Sequence, residues 1–168
     1  MSNQEASSLS PTSSSASRWK FDVFLSFRGE DTGKGFTDHL YAALRQKDIL
    51  TFRDDEKFWR GKSILPELLK AIEESRFAIV ILSKNYASST LCLDELAKIV
   101  RCMKDTGLTV FPVFYDVDPS DVRKQTGTFE ESFVRHEERF KENIEKVKTW
   151  KAALREVAKL SGWYLPDR

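Results

Sequence analysis

Short apolar runs separated by amphipathic stretches recur down this chain, and that alternation limits its fold more than any other feature. FAIVIL, residues 77–82, is apolar at every position, as a strand must be when both of its faces are covered. FDVFLSF from Phe21, ILTFR ending at Arg53 and LTVFPVFY ending at Tyr115 share its β-branched and aromatic character. Between the runs, apolar residues fall at helical spacing: Phe36, Leu40, Tyr41 and Leu44; Leu65, Leu68, Leu69 and Ile72; Cys92, Leu96, Ile99 and Met103. Ser63 can cap the second of these helices, with Pro66 in its first turn, where a missing N–H does no harm. Thr128 with Glu131 reads as a capping box for FEESFVRHEERF, and a last helix runs through VKTWKAALREVAKL. RGEDTGKG, after the first run, reads as turn chemistry, and DVDPSDVRKQTG as a long loop. Strands alternating with helices at this spacing imply parallel pairing through right-handed crossovers, an α/β doubly wound open sheet with helices on both faces. In such sheets ligands sit outside the carboxyl ends of the strands, so the loops after Phe27, Arg53, Leu82 and Tyr115 are the candidates for chemistry.

Composition narrows the partners. Lys and Arg number 27 against 26 Asp and Glu, a formal net charge of +1, which leaves no bulk field to select nucleic acid or an anionic membrane. Twelve Phe in a chain that is 12% aromatic mark a folded protein of one domain with one core. Cys92 and Cys102 form no C-x-x-C pair, and His39 and His136 lie far from them in sequence, so no metal site is expected. Thiols inside an apolar-patterned helix suit a reducing interior. Residues 1–19 carry no hydrophobic segment and Ser2 is not the glycine that myristoylation needs, so they read as a disordered serine-rich leader. The expected organisation is that leader, one domain over 20–165, and 166–168 as the start of a linker or the C-terminal end. The expected place is inside the cell and not on a membrane, cytoplasmic with a nuclear pool left open.

Two nucleotide motifs fail on spacing. GEDTGKG from Gly29 is one residue short of a phosphate-binding loop and has Gly35 where a hydroxyl should hold Mg²⁺. No G-x-G-x-x-G follows any strand, so a hydride-transfer enzyme has no fingerprint. At about 100° per residue, Asp94 points away from the Cys92, Leu96, Ile99 and Met103 stripe, whereas Glu95 lies about 60° from its centre, half inside, near the helix start. An acid there is ordinarily a partner of the helix dipole, worth about 0.3–1 kcal/mol when exposed. Its place at the carboxyl edge of an α/β sheet, backed by apolar residues, makes it a ligand-crevice candidate as well. Asp54 and Asp55 read first as solvated turn residues. Phe58 and Trp59, on the same polar loop, serve either as a partner or ligand surface or fold back on the body. His39 reads as solvated. Trp150 reads as offset from Val147, Leu154 and Val157 and packed in the core.

FDVFLSFRGEDT, TFRDD followed by RGKSI, PELLKAIEESR, LSKNYASS, CLDELAKI and FPVFYDVDPSDVRKQTGTF resemble, in order and spacing, the plant TIR (Toll/interleukin receptor) domain at the N-terminus of intracellular immune receptors. The resemblance runs from Phe21 to the closing SGWYLPDR and implies a flavodoxin-like sheet of five parallel strands. It also implies cleavage of NAD⁺ or NADP⁺ as substrate, with no cofactor, by a glutamate on the helix after the third strand, which is Glu95 here. Around the nucleotide it places Arg28, Gly29, the loop from Asp54 to Ser63 and Ser89. Leu91 stands where the family usually carries tryptophan; leucine keeps an apolar wall but loses a stacking face worth about 0.5–1.5 kcal/mol, with Trp59 the candidate to compensate. Such domains are similar in self-associating, with other TIR-containing receptors as further partners. The matching interface regions are Asp38 and His39 on the first helix, Arg123 through Gly127 to Phe129, and the last helix around Trp150. Two functions follow from the resemblance: an NAD(P)⁺ hydrolase that signals plant defence and cell death, or a non-catalytic TIR–TIR scaffold.

Overall fold

The computed structural model of the chain describes residues 19–54 and 64–166. In chain order the elements are β1 (Phe21–Phe27), α1 (Gly29–Thr32), α2 (Phe36–Gln46), β2 (Thr51–Arg53), α3 (Leu65–Glu73), β3 (Ser75–Leu82), α4 (Thr90–Asp105), β4 (Thr109–Tyr115), α5 (Pro119–Lys124), α6 (Thr128–Arg139), α7 (Ile144–Ala158) and β5 (Trp163–Leu165). The strands form one parallel sheet in the order β2-β1-β3-β4-β5. Chain order reverses between β1 and β3, the switch point where open α/β sheets bind ligands. The expected doubly wound, flavodoxin-like sheet of five parallel strands is the one observed.

The main core lies on one sheet face, where Phe24, Ala78, Val80, Leu82, Val110 and Phe114 meet α3, α4 and α7. Alternate residues, among them Ile79, Phe111 and Val113, point to the other face, where they line an apolar hollow of about 330 Å³ with Phe36 and Leu40 of α2. Trp163, in the edge strand β5, leaves 56% of its surface exposed at that hollow. Trp150 is buried to 1% exposure, its ring 5.3 Å from His136 and 5.4 Å from Phe140, while its Nε1–H donates to Asp94 at 3.1 Å.

Several local expectations change. RGEDTGKG is not all turn, since Gly29–Thr32 forms the single-turn helix α1. Gly33 closes that turn so tightly that a Cβ there would sit 2.7 Å from the Gly29 carbonyl oxygen. DVDPSDVRKQTG contains α5, with the Asp118 side chain accepting from Ser120 N–H and Pro119 at the first helical position. Thr128 is not the cap of α6. The N-cap is Gly127, at φ +67° with no side chain to form a capping box, and Thr128 is already helical. The N-cap of α3 is Ile64; Ser63 lies outside the described residues, as does the leader through Arg18. Pro66 does fall in the first turn of α3. Asp94 does not point simply away from the core, because α7 packs on that side of α4 and supplies Trp150.

Candidate functional site

Three strand ends converge at the switch point. β1 delivers Phe27 and then Arg28 and Gly29, β2 delivers Arg53 and Asp54, and β3 runs through Ser83 into a 3₁₀ turn at Tyr86–Ser88 that leads to α4. Among the described residues, Phe27, Arg28, Gly29, Glu30, Asp31, Gly33, Lys34, Gly35, Arg53 and Asp54 line a cavity of about 570 Å³. That volume suits a nucleotide-sized ligand.

The walls are fixed by specific contacts. Asp31 accepts from the Ser83 hydroxyl, the Asn85 backbone N–H and the Asn85 side-chain amide, which ties α1 to the end of β3. Arg53 lies over the rings of Phe27 and Tyr41, centroids 5.3 and 5.4 Å away, and donates to Asp38 at 2.9 Å and the Gly33 carbonyl at 2.8 Å. Its guanidinium is therefore an oriented wall. Arg28 is held less firmly. Its pair with Glu30 at 2.9 Å is exposed on the acid's side, and such pairs contribute only about 0–1 kcal/mol, so an incoming anion can displace it. Nε of Arg28 is buried without a hydrogen-bond partner among the described residues, the pattern of a donor suited to a ligand acceptor.

Glu95 stands deeper than its helical phase implied. It is 3% exposed and is not among the described residues lining the cavity. A helical wheel reports orientation about one axis only; here β1 and the 3₁₀ turn close over the edge of the α4 stripe. Ser26 of β1 donates to Glu95 Oε1 at 2.8 Å, and the Tyr86 hydroxyl lies 2.7 Å from Ser26 Oγ and 3.2 Å from the Cys92 carbonyl. Burial pushes the Tyr86 phenol well above its ordinary range, with the neighbouring Cys92 and Glu95 adding to the shift and the Ser26 hydrogen bond opposing it. Glu95 and the cavity are nonetheless adjacent in the fold. Ser26 precedes the lining residue Phe27, whose carbonyl accepts from Cys92 Sγ at 3.4 Å, so the first turn of α4 is pinned to the end of β1.

The other expected site residues divide. Arg28, Gly29 and Asp54 line the cavity, so Asp54 is a half-buried wall residue and not a solvated turn acid. Ser89 caps α4, its Oγ accepting from Cys92 N–H at 3.1 Å, and half-buried Leu91 packs against the core. Trp59, Phe58 and Asp55 lie outside the described residues. Asp38, His39 and Gly127 are exposed and Arg123 is half-exposed, open to contact with another chain. Trp150 is not. At 1% exposure it offers no surface, so any interface on α7 has to use exposed residues of that helix, such as Lys148 and Thr149. Local sequence gives no sign of Ser26, Tyr86 or Asp31, whose partners are 52–69 residues away. Arg53 could have been found, as a cation at the carboxyl end of a strand beside the switch point. Among the described residues no helix is long and apolar enough to cross a membrane.

Comparison with known proteins agrees with this architecture. The model of the TIR domain family matches residues 20–167. The chain is 57% identical over 166 residues to disease resistance protein RPV1 of Vitis rotundifolia, covering 99% of this chain and 12% of that protein. It is 54% identical to TMV resistance protein N of Nicotiana glutinosa, covering 90% of this chain and 13% of that one. It therefore spans about an eighth of the length of these curated relatives. Among solved structures, the TIR domains of the activated Roq1 resistosome, which directly recognises the pathogen effector XopQ, superpose with a TM-score of 0.80 at 55% identity, over 87% of this chain and 88% of that one. By sequence and by fold, this chain belongs to the TIR domain family, in the form found in plant disease resistance proteins.

Proposed function

We propose that the chain hydrolyses the bond between nicotinamide and ribose in NAD⁺ or NADP⁺, with Glu95 as the catalytic carboxylate, and that it does so as an assembly of TIR domains in plant immune signalling. The observation that carries the reading is a buried carboxylate one residue removed from the wall of a nucleotide-sized cavity at the sheet's switch point. When the C1′–N1 bond breaks, its electron pair leaves on nicotinamide, which departs neutral, and positive charge develops on the ribose. An anion fixed in a low-dielectric site stabilises that charge without reorganising during the reaction. Water then adds at C1′ and releases a proton, giving ADP-ribose from NAD⁺ or its 2′-phosphate from NADP⁺. Arg28, whose buried Nε has no hydrogen-bond partner among the described residues, and Arg53, fixed on the same wall, supply cationic donors for a pyrophosphate, and Asp54 lines the same cavity.

Association enters because Glu95 is 3% exposed and is not part of the described cavity wall. Contact with a neighbouring chain, through the surfaces at Asp38, His39, Arg123 and Gly127, would shift the population towards a form in which the carboxylate meets the sugar. The likeness to the TIR domains of an activated resistosome supports this coupling.

Incubating concentrated protein with NAD⁺ tests the reaction: nicotinamide and ADP-ribose should appear in equal amounts, and intact NAD⁺ after prolonged incubation would refute it. A scaffold without turnover is the second reading, favoured by the burial of Glu95 and by Leu91 in place of an aromatic ring. Nicotinamide release separates the two, and Leu91→Trp tests the part played by the missing ring. If Leu91 lines the nucleotide face, restoring a stacking ring should tighten KM by about two- to tenfold, matching about 0.5–1.5 kcal/mol; an unchanged KM in an active protein would place position 91 away from the nucleotide.

A further inference from the structure

Three buried side chains from three different elements form one hydrogen-bonded chain behind the cavity. Ser26 of β1 and Tyr86 of the 3₁₀ turn are fully buried, and Glu95 of α4 is 3% exposed. Donor arithmetic fixes the direction of the chain. The Ser26 hydroxyl has one proton, and at 2.8 Å it is donated to Glu95 Oε1. Ser26 Oγ is then an acceptor for the Tyr86 hydroxyl at 2.7 Å, closer than the alternative Cys92 carbonyl at 3.2 Å. Burial keeps Tyr86 protonated, so it remains a donor across the working pH range.

We propose that Ser26 is a positioning residue for Glu95, with Tyr86 orienting Ser26 in turn, so that two buried hydroxyls acting in series hold the carboxylate where the glycosidic bond is broken. The inference rests on the hydrolase reading above. A glutamate has three side-chain torsions, and a hydrogen bond to a charged group in a dry site restricts them more strongly than the same bond in water. Ser26 also belongs to the strand that ends in the lining residue Phe27, directly before Arg28, so the hydroxyl that holds the carboxylate and the start of the wall that faces the ligand are parts of one rigid element.

The test is steady-state NAD⁺ hydrolysis by the full chain, at a concentration where wild type turns over, with Ser26→Ala, Tyr86→Phe and the double variant, and melting temperatures measured alongside. Ser26→Ala should lower kcat about tenfold with KM within about twofold of wild type, since the lost contact acts on the carboxylate and not on substrate binding. Tyr86→Phe, which keeps the ring volume, should lower kcat about threefold, and the double variant should be no slower than Ser26→Ala, because Tyr86 acts through Ser26. If Ser26→Ala does not fold, Tyr86→Phe carries the same test. Unchanged kcat in both single variants, a loss confined to KM, or losses that multiply in the double variant would overturn the assignment. Those outcomes in an active wild-type enzyme refute the positioning role alone, whereas a silent wild type refutes the hydrolase reading and this inference with it.

Discussion

Glu95→Gln is expected to lower NAD⁺ turnover at least about a hundredfold while leaving the chain folded and able to associate. Glutamine keeps the length and planarity of the side chain, and its carbonyl oxygen can still accept from Ser26. What it loses is the negative charge. If that charge stabilises developing positive charge on the ribose, the loss falls on kcat, with substrate affinity little changed. A rate within about twofold of wild type would show that the reaction does not use this carboxylate. Glu95→Ala should show the same loss and also leave a cavity at a site with 3% exposure, so melting temperatures are needed to keep an effect on stability from passing as one on catalysis.

Trp150→Ala is expected to cost about 3–5 kcal/mol in unfolding free energy, measured by circular dichroism in a denaturant series. The ring is 1% exposed, stacks edge-on against His136 and Phe140, and gives its N–H to Asp94 on a different helix. Truncation removes the apolar packing, the aromatic contacts and the Asp94 hydrogen bond together. Trp150→Phe keeps most of the volume and should cost about 1–2 kcal/mol, which separates the hydrogen bond from the packing. If the alanine variant lost less than about 1 kcal/mol, α7 would be held by something other than this side chain.

The sheet was legible in the sequence because parallel strands covered on both faces must be continuously apolar, as FAIVIL is throughout and LTVFPVFY is from Val110 to Phe114. β5 was not legible by pattern: its three residues include exposed Trp163 and Tyr164, and its pairing with Val113 and Phe114 of β4 is what makes it a strand. Its place in the five-stranded count came from the family resemblance. α5 left a readable sign in Asp118–Pro119, a capping acid before a proline at the first helical position, within a stretch otherwise full of turn residues. The false capping box at Thr128 shows the reverse case, a correct motif one residue out of phase, because glycine at φ +67° already starts the helix. At the site, helical phase singled out Glu95 but could not give its depth, which is set by Ser26 and Tyr86 on elements 69 and about nine residues away in sequence. Arg28, Gly29 and Asp54, which the resemblance sets around the nucleotide, line the cavity because each lies within two residues of a strand end.

The coupling of association to chemistry is tested most directly by nicotinamide released per chain per minute, followed from dilute to crowded solution with light scattering recorded on the same samples. The rate per chain should be close to zero while the protein is monomeric and rise steeply as assemblies form. Assemblies that form without releasing any nicotinamide would contradict the account and leave the chain as a TIR–TIR scaffold.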